Sequence, residues 1–161
     1  MESGSDDVLK AVNKGVSAQQ MLEAGTRLRE SGIDLWVMIL LGLAGTGEAG
    51  LAHARASAQM MNEMRPRHLS LLSLIVSPDT PLGRDCRAGR FLPATPHETL
   101  LEIREIISNL TVDPLHFTCD HASNYLPLKG SLPEEKEEFL AALDDALRGR
   151  RALRPEWYRA H

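Results

Sequence analysis

The sequence predicts an α/β fold built from parallel βα units, and three observations carry that prediction. Helical and extended patterns alternate almost without interruption along the chain. Two of the extended stretches, residues 33–41 and 69–76, are near-continuous apolar runs, as expected of strands covered on both faces. Each is followed by a loop rich in glycine or proline and then by a helical pattern, the sign of right-handed crossovers in a parallel sheet. A closed barrel and an open doubly wound sheet satisfy this pattern equally.

The elements follow in order. Ser17-Ala18-Gln19-Gln20 reads as a capping box, in which the Ser17 hydroxyl and the Gln20 amide satisfy free backbone N–H groups, and Gly32 ends the helix it opens. Residues 33–41 form the first strand, with Ile33, Val37 and Ile39 among its apolar positions. After the loop Gly42-Leu43-Ala44-Gly45-Thr46-Gly47, a helix aligns Leu51, Ala54, Ala58 and Met61 on one face and stops before Pro66. Met60, Met61 and Met64 on this helix are expected to fill core space. Residues 69–76 form the second strand. The loop carrying Pro78, Pro81, Gly83, Gly89 and Pro93 is long for a compact domain, which makes it a functional candidate.

Thr95-Pro96-His97-Glu98 is a second capping box with proline at the first helical position, and Leu100, Ile103, Ile107 and Leu110 form the stripe behind it. Residues 115–119 give a short third strand. Ser131-Leu132-Pro133-Glu134 is expected to cap a last helix that turns Leu140, Leu143 and Leu147 inward. Residues 1–147 form the domain, and residues 148–161 a basic tail with Trp157 and Tyr158, either docked or mobile. The opening Glu2-Ser3-Gly4-Ser5 is polar and strand-end-like with no strand before it. It reads as a disordered N-terminus or as a chain that starts inside a larger α/β domain.

Length and composition bound the function. A chain of 161 residues holds one domain with its own core, and 43% hydrophobic with 25% charged residues is a globular composition. A net charge of −4 gives no global footprint for nucleic acid, and the five arginines of the tail read as solvated. The longest apolar run, residues 33–43, is interrupted by Asp34 and is too short to span a bilayer. No basic flank leads into an apolar core at the N-terminus, so no signal peptide is expected. Two cysteines, Cys86 and Cys119, fit a reducing cytoplasmic compartment.

Several constellations bear on chemistry. The glycine loop has the order G-x-x-G-x-G, not that of a dinucleotide or P-loop motif, so a tight βα turn is preferred to a phosphate cradle. His116, Cys119, Asp120 and His121 include metal-ligand types, but strand alternation puts His116 on the face opposite Cys119 and His121. The preferred reading is a strand end whose polar side chains line a pocket, where parallel sheets bind ligands. Asp120, His121, Ser123 and Asn124 are therefore candidate substrate contacts. A catalytic Ser123-His121-Asp120 set is disfavoured because no nucleophile-elbow sequence surrounds it. Glu134, Glu135, Glu137 and Glu138 read as a solvated helix face.

Glu2-Ser3-Gly4-Ser5, then Val8-Leu9 and Asn13-Lys14-Gly15, resemble the middle of radical S-adenosylmethionine (SAM) enzymes of the Elongator/MiaB/NifB-like group and the oxygen-independent coproporphyrinogen oxidases. Ile39-Leu40-Leu41-Gly42-Leu43 resembles their fifth-strand signature, and Val76-Ser77-Pro78-Asp79-Thr80-Pro81-Leu82 the exit of the sixth strand. Asp120-His121-Ala122-Ser123-Asn124-Tyr125 with Gly130-Ser131-Leu132-Pro133 resembles a segment of one radical SAM subgroup. The resemblance covers nearly the whole chain and implies about half of a partial TIM-type (β/α) barrel.

It also implies a SAM site formed by Glu2, Ser5, Lys14, Ile39, Gly42, Val76 and Ser77. Glu2 would accept bonds from the methionine or ribose part, and Lys14 would pair with the carboxylate. Ile39 would contact the adenine, and backbone near Val76 and Ser77 would bond its edge. Met38 stands where coproporphyrinogen oxidases carry a ribose-holding aspartate, and Lys14 where arginine is more usual. The Cys-x-x-x-Cys-x-x-Cys loop that holds the 4Fe-4S cluster of this family is absent, and two cysteines cannot supply its three thiolates. The resemblance thus implies the C-terminal half of an Fe-S oxidoreductase-like enzyme, inactive alone, whose partner is the N-terminal half of the barrel. Self-association through an exposed sheet edge is expected. The competing expectation is a self-contained nucleotide- or SAM-binding module, or an interaction module, in an open sheet.

Overall fold

The structure is a computed structural model that describes residues 1–159. Its centre is one four-stranded sheet: β1 (Trp36–Leu41), β2 (His68–Ser73), β3 (Leu115–Thr118) and β4 (Lys129–Leu132), in that order. The first three strands are parallel, and β4 runs antiparallel to β3. Two short N-terminal helices, α1 (Asp6–Ala11) and α2 (Ala18–Glu30), precede β1. Helix α3 (Glu48–Met64) carries the chain from β1 to β2; α4 (Pro81–Arg87) and α5 (Pro96–Asn109) carry it from β2 to β3; α6 (Lys136–Leu147) follows β4.

Helices α3, α5 and α6 pack in one layer, and the core lies between them and the sheet. Val37, Ile39 and Leu41 of β1, Leu69 and Leu71 of β2, and Leu115 and Phe117 of β3 point into it. They meet Ala54, Ala58 and Met61 of α3, Ile103 and Ile107 of α5, and Phe139 and Leu143 of α6. Full burial of each large side chain is worth about 1.5–3 kcal/mol. Met60 and Met64 are core residues too, as expected.

The capping boxes at Ser17 and Thr95 form as read, with Gln20 and Glu98 at the third helical positions. Other expectations are corrected. The first strand starts at Trp36, and burial along it alternates: Trp36 is 63% and Met38 52% exposed, while Ile39 is 1% exposed. Only one helical layer exists among the described residues, so the second apolar face of β1 is uncovered. β2 stops at Ser73, because side chains of the 120–125 segment take its backbone beyond Leu71. The long loop contains α4, whose start is capped by Thr80 Oγ1 accepting from Gly83 N at 3.0 Å.

Ser131-Leu132-Pro133-Glu134 does not cap the last helix. Ser131 and Leu132 belong to β4, paired with His116 and Leu115, and the helix starts at Lys136. Glu135 is not a solvated carboxylate, since it turns back to accept from Ser131 N at 2.6 Å. The N-terminus is not disordered. Leu40 N donates to Glu2 O at 2.9 Å, and Gly4 N to Ser57 Oγ at 2.9 Å. Gly4 lies so close to α3 that a Cβ there would stand 2.4 Å from Ala56 O. The tail is docked, at least from Arg154 to Arg159.

Candidate functional site at the strand exits

The C-terminal ends of the parallel strands bring three groups of residues to one side of the sheet. The first is the turn after β1. Gly42 takes a left-handed φ of +76°, and its N–H donates to Glu102 Oε2 at 2.9 Å. Gly47 N donates to Glu98 Oε1 at 2.9 Å. Two carboxylates one turn apart on α5 thus occupy the two amides, which is why this loop is no phosphate cradle. Gly50 leaves room for the arrangement: a Cβ there would stand 2.7 Å from Glu102 Oε1. His53 Nδ1 lies 3.7 Å from Glu102 Oε2, with both side chains buried. Both ring nitrogens of His53 and Glu102 Oε1 lack hydrogen-bond partners among the described residues.

The second group joins α1 to the exit of β2. Lys14 Nζ is 2.7 Å from Glu2 Oε2, and both side chains are about one-third exposed. Ser5 is the residue before α1; its N donates to Ser3 Oγ and its hydroxyl makes no cap. A cavity of about 420 Å³ lies between Val12 and Asn13 on one side and residues 74–77, Thr80 and Leu82 on the other. Leu74 N still donates to Leu41 O at 3.0 Å, but the amides of Val76 and Ser77 find no acceptor among the described residues. The Ser77 carbonyl is taken by Thr80 Oγ1 at 2.7 Å. Ile39 is not brought to this site, because its side chain lies within the core and has no surface to offer an adenine.

The third group is the segment after β3. Asn124 is fully buried: Nδ2 donates to Leu71 O at 2.7 Å and Oδ1 accepts from Ser73 Oγ at 2.8 Å. Ser73 N donates to Ser123 Oγ at 3.1 Å. Ser123 and Asn124 therefore finish the edge of β2, and their side chains are consumed by it. His121 and Asp120 instead line a cavity of about 560 Å³ on the uncovered face of the sheet, with Trp36, Met38 and Lys129. Asp120 pairs with Lys129 at 3.9 Å while His121 bonds Ser123, so the three do not align as a catalytic triad. Cys119 is fully buried on the helix side, and burial pushes its thiol far above the ordinary range. No group of three metal-ligating side chains occurs among the described residues, and the two free cysteines do not fit an iron–sulfur cluster.

Sequence reasoning missed the tail's part. Arg154 Nη1 donates to His121 O at 2.8 Å and Asn124 O at 3.1 Å. Arg159 lies over the Tyr125 ring at 4.0 Å and donates to Ser123 O at 2.6 Å and Leu74 O at 3.3 Å. One guanidinium thus ties the exit of β2 to that of β3. Tyr125 OH donates to Glu156 at 2.8 Å; burial and then this bond push its phenol up to about 12. A run of arginines separated from its partners by 30 residues or more carries no local signal, so only the fold reveals it.

Parallel strands with the helices on one face and candidate ligand groups at the exits define a mixed α/β protein with a four-stranded, mostly parallel sheet. Among solved structures, the chain is similar to archaeal Elp3 of Methanocaldococcus infernus with an N-terminal deletion, with a TM-score of 0.64 and 17% identity. The match covers 94% of this chain and 35% of that one, so this chain spans about a third of its neighbour's length. No protein-family model and no curated protein matches. No described helix is long and apolar enough to cross a membrane.

Proposed function

We propose that this chain is the C-terminal half of a radical SAM barrel, contributing part of the SAM and substrate pocket and inactive without the remaining strands. The observation that carries the reading is the cavity between the end of α1 and Val76 and Ser77, with the Glu2–Lys14 ion pair one residue along the chain from its Asn13 wall. A ligand with a zwitterionic end and an apolar ring suits a carboxylate, an ammonium and two backbone donors. Lys14 takes its carboxylate, Glu2 its amine or ribose hydroxyls, and the amides at 76–77 the edge of its base. Gly42 holds the neighbouring turn. SAM with a reduced 4Fe-4S cluster supplies radical chemistry in enzymes of this kind. The cluster's thiolates are not on this chain and belong to the proposed partner half.

Titration of the chain with SAM, followed by amide NMR, tests the reading. Saturable shifts at Lys14, Val76 and Ser77, lost in Glu2→Gln and Lys14→Met, are expected. Their absence at millimolar SAM overturns it. Anaerobic treatment with iron and sulfide should leave the chain without a stable cluster, and formation of one overturns the assignment of inactivity. Submicromolar SAM binding by the chain alone favours a self-contained binding module, because a half pocket binds weakly.

A further inference from the structure

The uncovered face of the sheet carries an excess of hydrogen-bond donors at one end of an apolar floor. Three facts establish it. The backbone N–H of Ser123 donates to His121 Nδ1 at 3.1 Å, so Nδ1 is an acceptor. Ser123 Oγ already accepts from Ser73 N and lies 2.9 Å from the same Nδ1, where it is the donor once Nδ1 carries no proton. The neutral ring must then carry its proton on Nε2. That nitrogen is the one left for the cavity His121 lines.

The second fact concerns Ser70 and Thr118, whose hydroxyls are 2.6 Å apart. Trp36 Nε1, which can only donate, bonds Ser70 Oγ at 2.6 Å. Three protons serve two bonds, so one hydroxyl proton is left over whichever way the pair is oriented. Both hydroxyls line the cavity. The third fact is Lys129, the partner of Thr118 across the β3–β4 ladder, whose side chain is 70% exposed and whose ammonium is 3.9 Å from the Asp120 carboxylate. Against His121 Nε2–H, a hydroxyl proton and the Lys129 ammonium stands a single carboxylate, that of Asp120. The floor is apolar: Met38, Leu72 and the face of Trp36.

We propose that this face binds a small molecule carrying a carboxylate on an apolar body, the carboxylate held by His121 Nε2, Lys129 Nζ and the Ser70/Thr118 hydroxyl pair. The volume of about 560 Å³ is of small-ligand size. Ser123 is a positioning residue, holding the tautomer through Nδ1 rather than touching the ligand. The inference rests on the reading of Asp120 and His121 as substrate contacts and is independent of where SAM binds.

The test uses the full chain, phenylacetate as probe and phenylacetamide as its uncharged control. Nitrogen NMR of the free chain is expected to show His121 protonated at Nε2. Phenylacetate should give saturable shifts at His121, Thr118 and Lys129, and phenylacetamide should bind about tenfold more weakly, the size of one charge-assisted hydrogen bond. Lys129→Met, on an exposed side chain, should erase the difference between the two probes. Ser123→Ala keeps the backbone N–H that donates to Nδ1, so His121 should stay protonated at Nε2 and still bind phenylacetate more tightly than the amide. A ring protonated at Nδ1, no saturable shift at these residues, or equal affinity for acid and amide overturns the proposal. Shifts at Val76 and Lys14 with SAM report separately, so either reading fails without the other.

Discussion

Glu102, on α5, accepts the N–H of Gly42, at the end of β1, at 2.9 Å across 60 residues of sequence. The contact is buried, so removing the carboxylate leaves a donor that water cannot reach. Glu102→Leu should cost about 1–3 kcal/mol in chemical denaturation. Hydrogen exchange should quicken selectively at Gly42, while Glu102→Gln, which keeps an acceptor, stays near the parent. Gly50→Ala should act in the same direction by displacing the carboxylate. Parallel quickening at Leu69 and Leu71 would show a global effect and defeat the assignment.

Asn124 is the most concentrated prediction about stability. Its amide serves both Leu71 O and Ser73 Oγ with no exposed surface. Asn124→Ala strands both and should cost about 1–3 kcal/mol. Asn124→Asp should cost more, since it removes the donor and buries a charge. Thermal unfolding of the three proteins checks the order.

Glu98 is held below the ordinary carboxylate range, first by the Thr95 backbone N–H, then by the Thr95 hydroxyl and by Gly47 N. A depressed folded value means stability present above the unfolded value of about 4.5 and lost as the pH falls through the folded one. Acid unfolding of Glu98→Gln should therefore be less steep below that point than that of the parent.

Tyr125 has the opposite sign. Its phenol is pushed up to about 12 from 10.0, so its contribution is complete below the unfolded value and lost as the pH rises through the folded one. The tail should loosen over that interval, read as hydrogen exchange at Arg154. Tyr125→Phe should lose this alkaline step; a step of unchanged size would exclude Tyr125 as its source.

The uncovered edge and face of β1 predict association. Trp36 and Met38 are exposed beside edge backbone that, among the described residues, Glu2 caps at Leu40. Light scattering should show concentration-dependent oligomers, reduced in Met38→Lys. A clean monomer at high concentration counts against a free edge.

The fold was legible where local chemistry decides structure. Two capping boxes and the helical stripes of α3 and α5 can be read from side chains within one or two turns of each other. What failed needed distant partners. Nothing near Ser131 says that it pairs with His116, and apolar residues on both faces of β1 do not say that one face stands bare. In the site, Glu2 pairs with Lys14, and Val76 and Ser77 share a cavity with Val12 and Asn13 at the end of α1. Ile39 does not, because alternation along β1 sends it to the core. Ser123 and Asn124 look chemical in sequence, yet their polar atoms are spent on ending β2. Glu102 was hidden as one more charged residue on an amphipathic helix.

The reversed direction of β4 has a consequence for assembly. A run of parallel strands is not continued in the same sense through an antiparallel neighbour, so the two margins of the sheet differ in direction. Any further parallel strand enters beside β1, where the segment around Glu2 already occupies the first place in the queue. The sheet is thus vectorial: its β1 margin keeps the parallel sense and its β4 margin reverses it.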